Sequence, residues 1–417
     1  MGVPDMSASS ALNTAMGLDA AAVAHISDHL DEPDWLRALR AEWWSRAETT
    51  PPPTGQEEEW RRTDLAGLPR DGGLLLDAPM LDATLPQDGV VLTDLRTAVR
   101  EHPDLVRRFL GQTDGPASHA HFWALAQTAW TGGLFCYVPR GVAVDGTLVA
   151  RTSLPVADAT YLPVTLVVAE EGSSVTLLEE VSSPDGEAGW FGGIVDIQTG
   201  RGAQVRYANL QQLGDGAWNI GAQRVVVGQD ANVTTLNAEV GSRITKVGLD
   251  VKMSAPGGTS KVLGLLAAGD DQQIDINTMQ DLAADHTTSD LLYLSALYGR
   301  AHASFYGVTN VRNGTRQTSS YQECRNLLLS PQAGAEPIPV LEIEANDILR
   351  CGHGATAGAI DPTQMFYAQT RGLDPDSAER MIVRGFFEQV VAKIDDETIR
   401  DRILLALASR IGSEERS

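Results

Sequence analysis

From about Leu134 to residue 349 the chain is a succession of short β-type runs separated by Gly, Asp, Asn and Ser, with no helical crossover pattern between them. Val164 to Val168, Ser174 to Leu178, Arg224 to Val227, Thr245 to Val251, Lys261 to Leu265 and His302 to Val308 are examples, and Gln273-Ile274-Asp275-Ile276-Asn277 alternates apolar and polar residues strictly. Runs of this length and spacing specify an all-β array: a sandwich, barrel or solenoid. Without helices between the strands a doubly wound α/β sheet does not form. The absence of a strict repeat removes propellers and hexapeptide solenoids and leaves an irregular β-helix open. Such a stack buries its interior but needs caps on its end rungs.

The flanks are helical. Ala20 to Leu30 and Asp34 to Arg46 carry apolar residues at helical spacing, with Trp35, Leu36, Leu39, Trp43 and Trp44 available for one face. Pro51-Pro52-Pro53 then marks a linker. Weaker helical patterns run from Thr93 to Arg100, Pro103 to Leu110 and Ala117 to Thr131. Beyond the strands, Asp361-Pro362 and Asp374-Pro375 each place a capping carboxylate before a proline at the first helical position. A last amphipathic segment, Asp396 to Ala408, precedes the polar tail Gly412 to Ser417, which is expected to fray. The expected organisation is a helical region with linker at 1–133, a β core at 134–360 and a helical region at 361–417.

The net charge of −23 and the scarcity of lysine (Lys246, Lys252, Lys261 and Lys393 only) argue against nucleic acid or an anionic membrane as partner, because both demand clustered cations. Cys136, Cys324 and Cys351 are too few and too odd in number for a disulfide framework, so free thiols in a reducing cytoplasm are expected. The N-terminal Met1-Gly2-Val3-Pro4-Asp5 does not read as a secretory signal, Gly2 is a weak myristoylation match, and no apolar run is long enough for a membrane span.

The sharpest chemical feature is Cys351-Gly352-His353-Gly354. In extended backbone, residues two apart share a face, and a thiolate with an imidazole suits iron or zinc. Two ligands are too few for a closed site, so others would have to come from elsewhere. The alternative is a buried filler thiol and a hydrogen-bonded structural histidine. Cys136 sits in an apolar run and reads as core. Cys324, between Glu323 and Arg325, has charged neighbours consistent with greater exposure, but the leading reading is an incidental small residue. His119 and His121 fall two apart in a helix, where they do not share a face and read as structural. His286 lies in a polar loop with no nucleophile marked for it. Gly257-Gly258-Thr259-Ser260-Lys261 lacks phosphate-loop spacing and is followed by a strand-like run, so nucleotide hydrolysis by that device is not expected.

An ordered series of segments resembles the SufB/SufD family of iron–sulfur cluster assembly scaffolds: His286-Thr287-Thr288-Ser289-Asp290, Tyr306-Gly307-Val308, Arg325 to Ser330, Pro339 to Ile343, Cys351 to Thr356, Phe366-Tyr367 and Arg371-Gly372-Leu373. Trp60 to Leu65 and Tyr137 to Val142 resemble its earlier landmarks, so the likeness covers most of the chain. Cys351-Gly352-His353-Gly354-Ala355-Thr356 is similar to the C-x-H-G-A-T of SufD-type members, where SufB-type chains carry H-E-A-T; Glu323-Cys324 and Met381 to Phe386 depart from the SufD pattern.

The resemblance implies a mainly β fold: a right-handed parallel β-helix core between helical N- and C-terminal parts. It implies pairing with a SufB-like subunit, or with itself when isolated, and binding of SufC-like ABC ATPases through the C-terminal helices, around Met381, Gly385, Phe386, Phe387 and Val390. His353, with Cys351, would be a metal ligand for a nascent cluster at the subunit interface. The implied protein is a non-catalytic scaffold: no stable cofactor on the isolated chain, a transient iron–sulfur cluster in the complex, and ATPase activity in a separate chain. The other readings are a SufB-type scaffold, a β-helix enzyme acting on polysaccharide and a homo-oligomeric structural protein. The enzyme reading is opposed by the missing signal and the scarcity of cations for a basic groove.

Overall fold

A computed structural model describes residues 18–69, 73–84, 86–154, 159–186 and 188–411; the N-terminal Met1 to Asp5 and the tail Gly412 to Ser417 lie outside them. The β-type runs coil into a parallel β-solenoid of about eight rungs, with helices at both termini. Each rung contributes one strand to each of two facing sheets. The first sheet stacks Ala143–Ser153, Ser174–Ser182, Gln204–Gln212, Asn232–Glu239, Thr259–Ala268, Thr288–Leu297, Arg316–Leu328 and Asp347–Ala359. The second stacks Gly133–Val138, Val164–Ala169, Ile194–Thr199, Trp218–Val227, Ile244–Met253, Gln273–Leu282, His302–Val311 and Gly334–Ile343.

Period-two alternation decides what goes inside. Val175, Leu177, Val205 and Tyr207 of the first sheet meet Val167, Ile197, Val225 and Leu249 of the second in a continuous interior core. The opposite faces are also apolar, because helices cover them, and this makes several strands hydrophobic on both sides: every residue of Val164–Ala169 is buried. Stacked side chains interlock from rung to rung. Tyr293 fills the space left by Gly264, its neighbour in the ladder, where an added Cβ would lie 2.1 Å from the ring. At the turns, Gly257 (φ +78°) and Asp270 (φ +50°) adopt left-handed backbone, which explains the Gly and Asp that punctuate the strands.

The N-terminal helices α1 (Ala20–His29), α2 (Asp34–Thr49), α3 (Leu95–Glu101), α4 (Pro103–Phe109) and α5 (Ala120–Ala129) pack on the outer face of the second sheet, against Leu166, Trp190, Trp218 and Ile220. Arg40 is fully buried there. It pairs with Glu32 and donates to the carbonyls of Thr128 (2.6 Å) and Trp130 (3.1 Å). The Trp60 landmark is a latch. Lys246, buried on that face, donates to Asp275 (2.8 Å), Asn277 (2.9 Å) and the Glu59 carbonyl, with Trp60 5.0 Å above its ammonium. Thr63 donates to the same Asp275 carboxylate (2.7 Å). Two short strands close the first rung: Val91–Asp94 pairs antiparallel with Gly133–Val138, and Asp82–Ala83 with Ala143–Ser153. Thr93 and Asp94, expected to open a helix, finish a strand instead, and the Asp94 carboxylate caps α3.

The C-terminal helices are α6 (Pro362–Thr370), α7 (Pro375–Val391) and α8 (Glu397–Ile411). Asp361 and Asp374 cap the first two as expected, accepting from the backbone N–H of Thr363 and Ser377. Through Val383, Phe387, Val390, Ile399 and Ile403, α7 and α8 pack on the outer face of the first sheet against Leu236, Leu265 and Leu294.

Candidate functional site at the open end

The last rung has no successor. Asp347–Ala359 pairs only with Arg316–Leu328, and Gly334–Ile343 only with His302–Val311. Both edges are long and solvent-facing, which sheet proteins ordinarily avoid.

The two edges differ. The N–H of Gly334 donates to Ala301, so strand alternation turns the amides of residues 336, 338 and 340 inward and leaves 335, 337, 339, 341 and 343 facing outward. Two of those outward positions are Pro337 and Pro339, which have no N–H to give. On the other edge, the Ser319 amide turns back to Thr287, so the even-numbered residues of the terminal strand bond inward and Cys351, His353, Ala355 and Ala357 present their amides outward. None of these is proline. The first sheet can therefore continue into another chain where the second is blunted.

Side chains at this end continue the interior columns. Cys351 stands in register above Ser320, and His353 above Gln322. Ser320 and Gln322 are buried, Cys351 is half-buried and His353 is exposed. Cys351 and His353 thus share the inward face of an edge strand, about 7 Å apart at Cα, reachable by another chain. Partial burial holds the Cys351 thiol above its ordinary value, so alone it stays protonated at neutral pH; a bound metal would displace that proton. Among the described residues no three of His, Cys, Asp or Glu gather closely enough to hold a metal ion.

The remaining expectations separate. Cys136 is core, and burial lifts its thiol to about 12. Cys324 is not exposed but 2% accessible: Glu323 and Arg325 turn outward and pair with each other, which sends the cysteine between them inward and lifts its thiol to about 12. His119 and His121 are both buried, and His121 contacts the Thr50 carbonyl (2.7 Å). His286 occupies an exposed left-handed turn (φ +58°). Thr259–Ala268 is a strand, as the failed phosphate-loop spacing required. On α7, Met381 and Gly385 are exposed and Phe386 is half-buried, whereas Phe387 and Val390 lie against the sheet. A groove of about 530 Å³ runs between α7 and α8, with Arg384, Leu404 and Leu405 among its walls; Leu405 is 68% exposed.

Gln322 was not singled out by sequence reasoning. Neither its amide N–H₂ nor its carbonyl has a partner, although it is fully buried directly beneath His353. The alternation through Tyr321-Gln322-Glu323-Cys324-Arg325, with charged residues at every other place, is the signal that points it inward.

The structure is a parallel β-solenoid with one end closed and one open, and Cys351 and His353 stand on the open edge. The chain belongs to the SufB/SufD family: residues 153–386 match the family described as SUF system FeS cluster assembly, SufBD core domain. It is 25% identical to the iron-sulfur cluster assembly protein SufD of Bacillus subtilis, over 96% of this chain and 99% of that one. It is 26% identical to a SufBD family protein of Staphylococcus epidermidis (76% and 68% covered) and 25% identical to a chloroplastic one of Arabidopsis thaliana (75% and 58%). Its role accordingly lies in iron–sulfur cluster assembly. Among the described residues no helix is long and apolar enough to cross a membrane.

Proposed function

We propose that this chain is a scaffold subunit that pairs through its open rung with a SufB-like subunit and offers His353, with Cys351 beside it, as part of a ligand set for a nascent iron–sulfur cluster that the partner completes. The observation that carries this reading is the free edge of Asp347–Ala359, 13 residues long, with no proline and with His353 at its midpoint. An antiparallel pairing of two such strands about a two-fold axis sets His353 opposite its counterpart, so each chain contributes to one site. The cluster is the cargo. Cys351 would lose its proton on ligation, and the unpartnered Gln322 amide below would orient the His353 ring.

The C-terminal helices supply a second surface, where Met381, Gly385, Phe386 and Leu405 are accessible and an ATPase subunit of the SufC type would dock. Phe387 and Val390 would act from beneath, transmitting displacement of α7 to the first sheet, whose last strand carries His353.

The test is His353→Ala in the complex reconstituted with a SufB-like partner. Complex formation should persist while cluster formation, followed by its visible absorption, falls at least about tenfold, the loss expected when a ligand is removed. Undiminished cluster formation would remove His353 from the site.

A further inference from the structure

The outer face of the first sheet carries one register column that the seam does not use: Arg206, Thr234, Lys261, Asp290, Tyr321 and Gly352, one residue per rung. Lys393, in the turn between α7 and α8, leans over this column. Two adjoining recesses of about 390 and 250 Å³ open there, and Lys261 and Lys393 line both.

The charge at this place runs against that of the chain. Only four lysines exist in a molecule of net charge −23, and two of them meet here. The nearby carboxylates are occupied: Asp290 is held by Arg350 (2.5 Å) and Glu323 by Arg325. Asp395 touches Arg206 only loosely (3.8 Å) and its side chain is 96% exposed. Among the described residues neither Lys261 nor Lys393 has a carboxylate within 4.0 Å. Thr234, Thr259 and Asn232 add neutral donors to the larger recess.

We propose that this groove binds a small polyphosphate anion, of the pyrophosphate or nucleotide di- or triphosphate class, between Lys261 and Lys393. Two compact ammonium groups with free N–H donors suit phosphate oxygens, and Arg206 becomes a third contact once Asp395 swings into solvent. A small anion is favoured over an acidic protein segment. It feels mainly the local cations, within a screening length of about 8 Å, whereas a protein polyanion would meet the rest of an acidic surface. The site is independent of the seam, and an occupant would tie the α7–α8 turn to the sheet that ends in Cys351 and His353.

The experiment is calorimetric titration of the full chain with inorganic pyrophosphate, at low and high salt. Saturable one-to-one binding that weakens with salt is expected, with affinity reduced about tenfold or more in Lys261→Ala/Lys393→Ala. Lys252→Ala, on the other sheet, should bind as the parent does. Unfolding midpoints without ligand should match in all three, since both groove lysines are exposed. Absence of saturable binding, or an equal loss in Lys252→Ala, would overturn the proposal. So would saturation by a glutamate-rich peptide where pyrophosphate fails, which would assign the groove to an acidic protein segment.

Discussion

The two ends of the solenoid solve the same problem in opposite ways. At the N-terminal end, short antiparallel strands take up the first rung's backbone, and five helices pack on the outer face of the second sheet, with Arg40 and Glu32 paired and buried among them. At the C-terminal end the last rung keeps both edges exposed, and buried Ser320, Gln322 and Asn326 stand in the rung beneath it. A closed end maximises the stability of the lone chain. An open end withholds some of it, and in the proposed complex a partner strand would supply the remainder. The difference teaches where to look for function in a stack of otherwise similar rungs: at the rung whose hydrogen bonds are unfinished.

The largest effect expected is between the ends, where the Trp60 segment latches onto the fifth and sixth strands of the second sheet. Lys246→Ala leaves Asp275 buried without its cation and removes one of the two donors to the Glu59 carbonyl, so stability should fall by about 3–5 kcal/mol, read by denaturant unfolding, with faster amide exchange around Trp60. An unchanged midpoint would mean that the latch does not set the stability of the chain.

Next comes Glu239, in the interior one rung before the latch. Burial lifts its carboxyl from 4.5 to about 7, opposed by a hydrogen bond from Asn219. Between those values the folded chain binds more protons than the unfolded one, so this group's stabilising contribution is complete below pH 4.5 and is lost as pH rises through about 7. Glu239→Gln should remove up to about 3 kcal/mol of that decline, seen as a flatter profile of unfolding midpoint against pH. Asp196 and Asp250, both lifted to about 6 by burial, contribute with the same sign and remain in the variant.

At the open end the effects move from folding to association. Ala355→Pro deletes an outward N–H that the lone chain does not use. Its own stability should change by less than about 1 kcal/mol, while affinity for the SufB-like partner drops at least about tenfold; equal affinity would refute pairing through this strand. The smallest change expected is from Pro339→Val, which restores a donor to the blunted edge. Sedimentation should reveal added self-association of the isolated chain, with partner affinity unaltered.

Much of this contrast could be read before any coordinates. The change of texture at Leu134, the strand runs and the Asp-Pro helix starts all reflect local chemistry, and local chemistry is written in order along the chain. The stacking register is not. One ladder steps 26 residues, from Trp218 to Ile244, and another 32, from His302 to Gly334, so turns of unequal length erase the periodicity that would have declared a two-sheet coil. Cys324 misled for a related reason: flanking charges describe a neighbourhood in sequence, whereas alternation sends those charges to the opposite side of the sheet. Cys351 and His353 were visible as a pair, yet Gln322 beneath them was not, because the contact is made across 31 residues of chain. Lys261 was visible as a rare lysine at the start of a strand, but its approach to Lys393 is made across 132 residues of chain.

The unequal turns have a consequence for the molecule as a measuring device. Rise along the stack is fixed by backbone hydrogen bonding at about 4.8 Å per rung, whatever the length of the loops that swing outside it. Residues gained or lost in a turn leave the distance from the helical blanket to the terminal strand untouched, whereas one whole coil added or removed shifts it by a discrete step. The solenoid is therefore a ruler graduated in rungs: its loops are free to vary, but the number of rungs sets where the last strand stands relative to the helices.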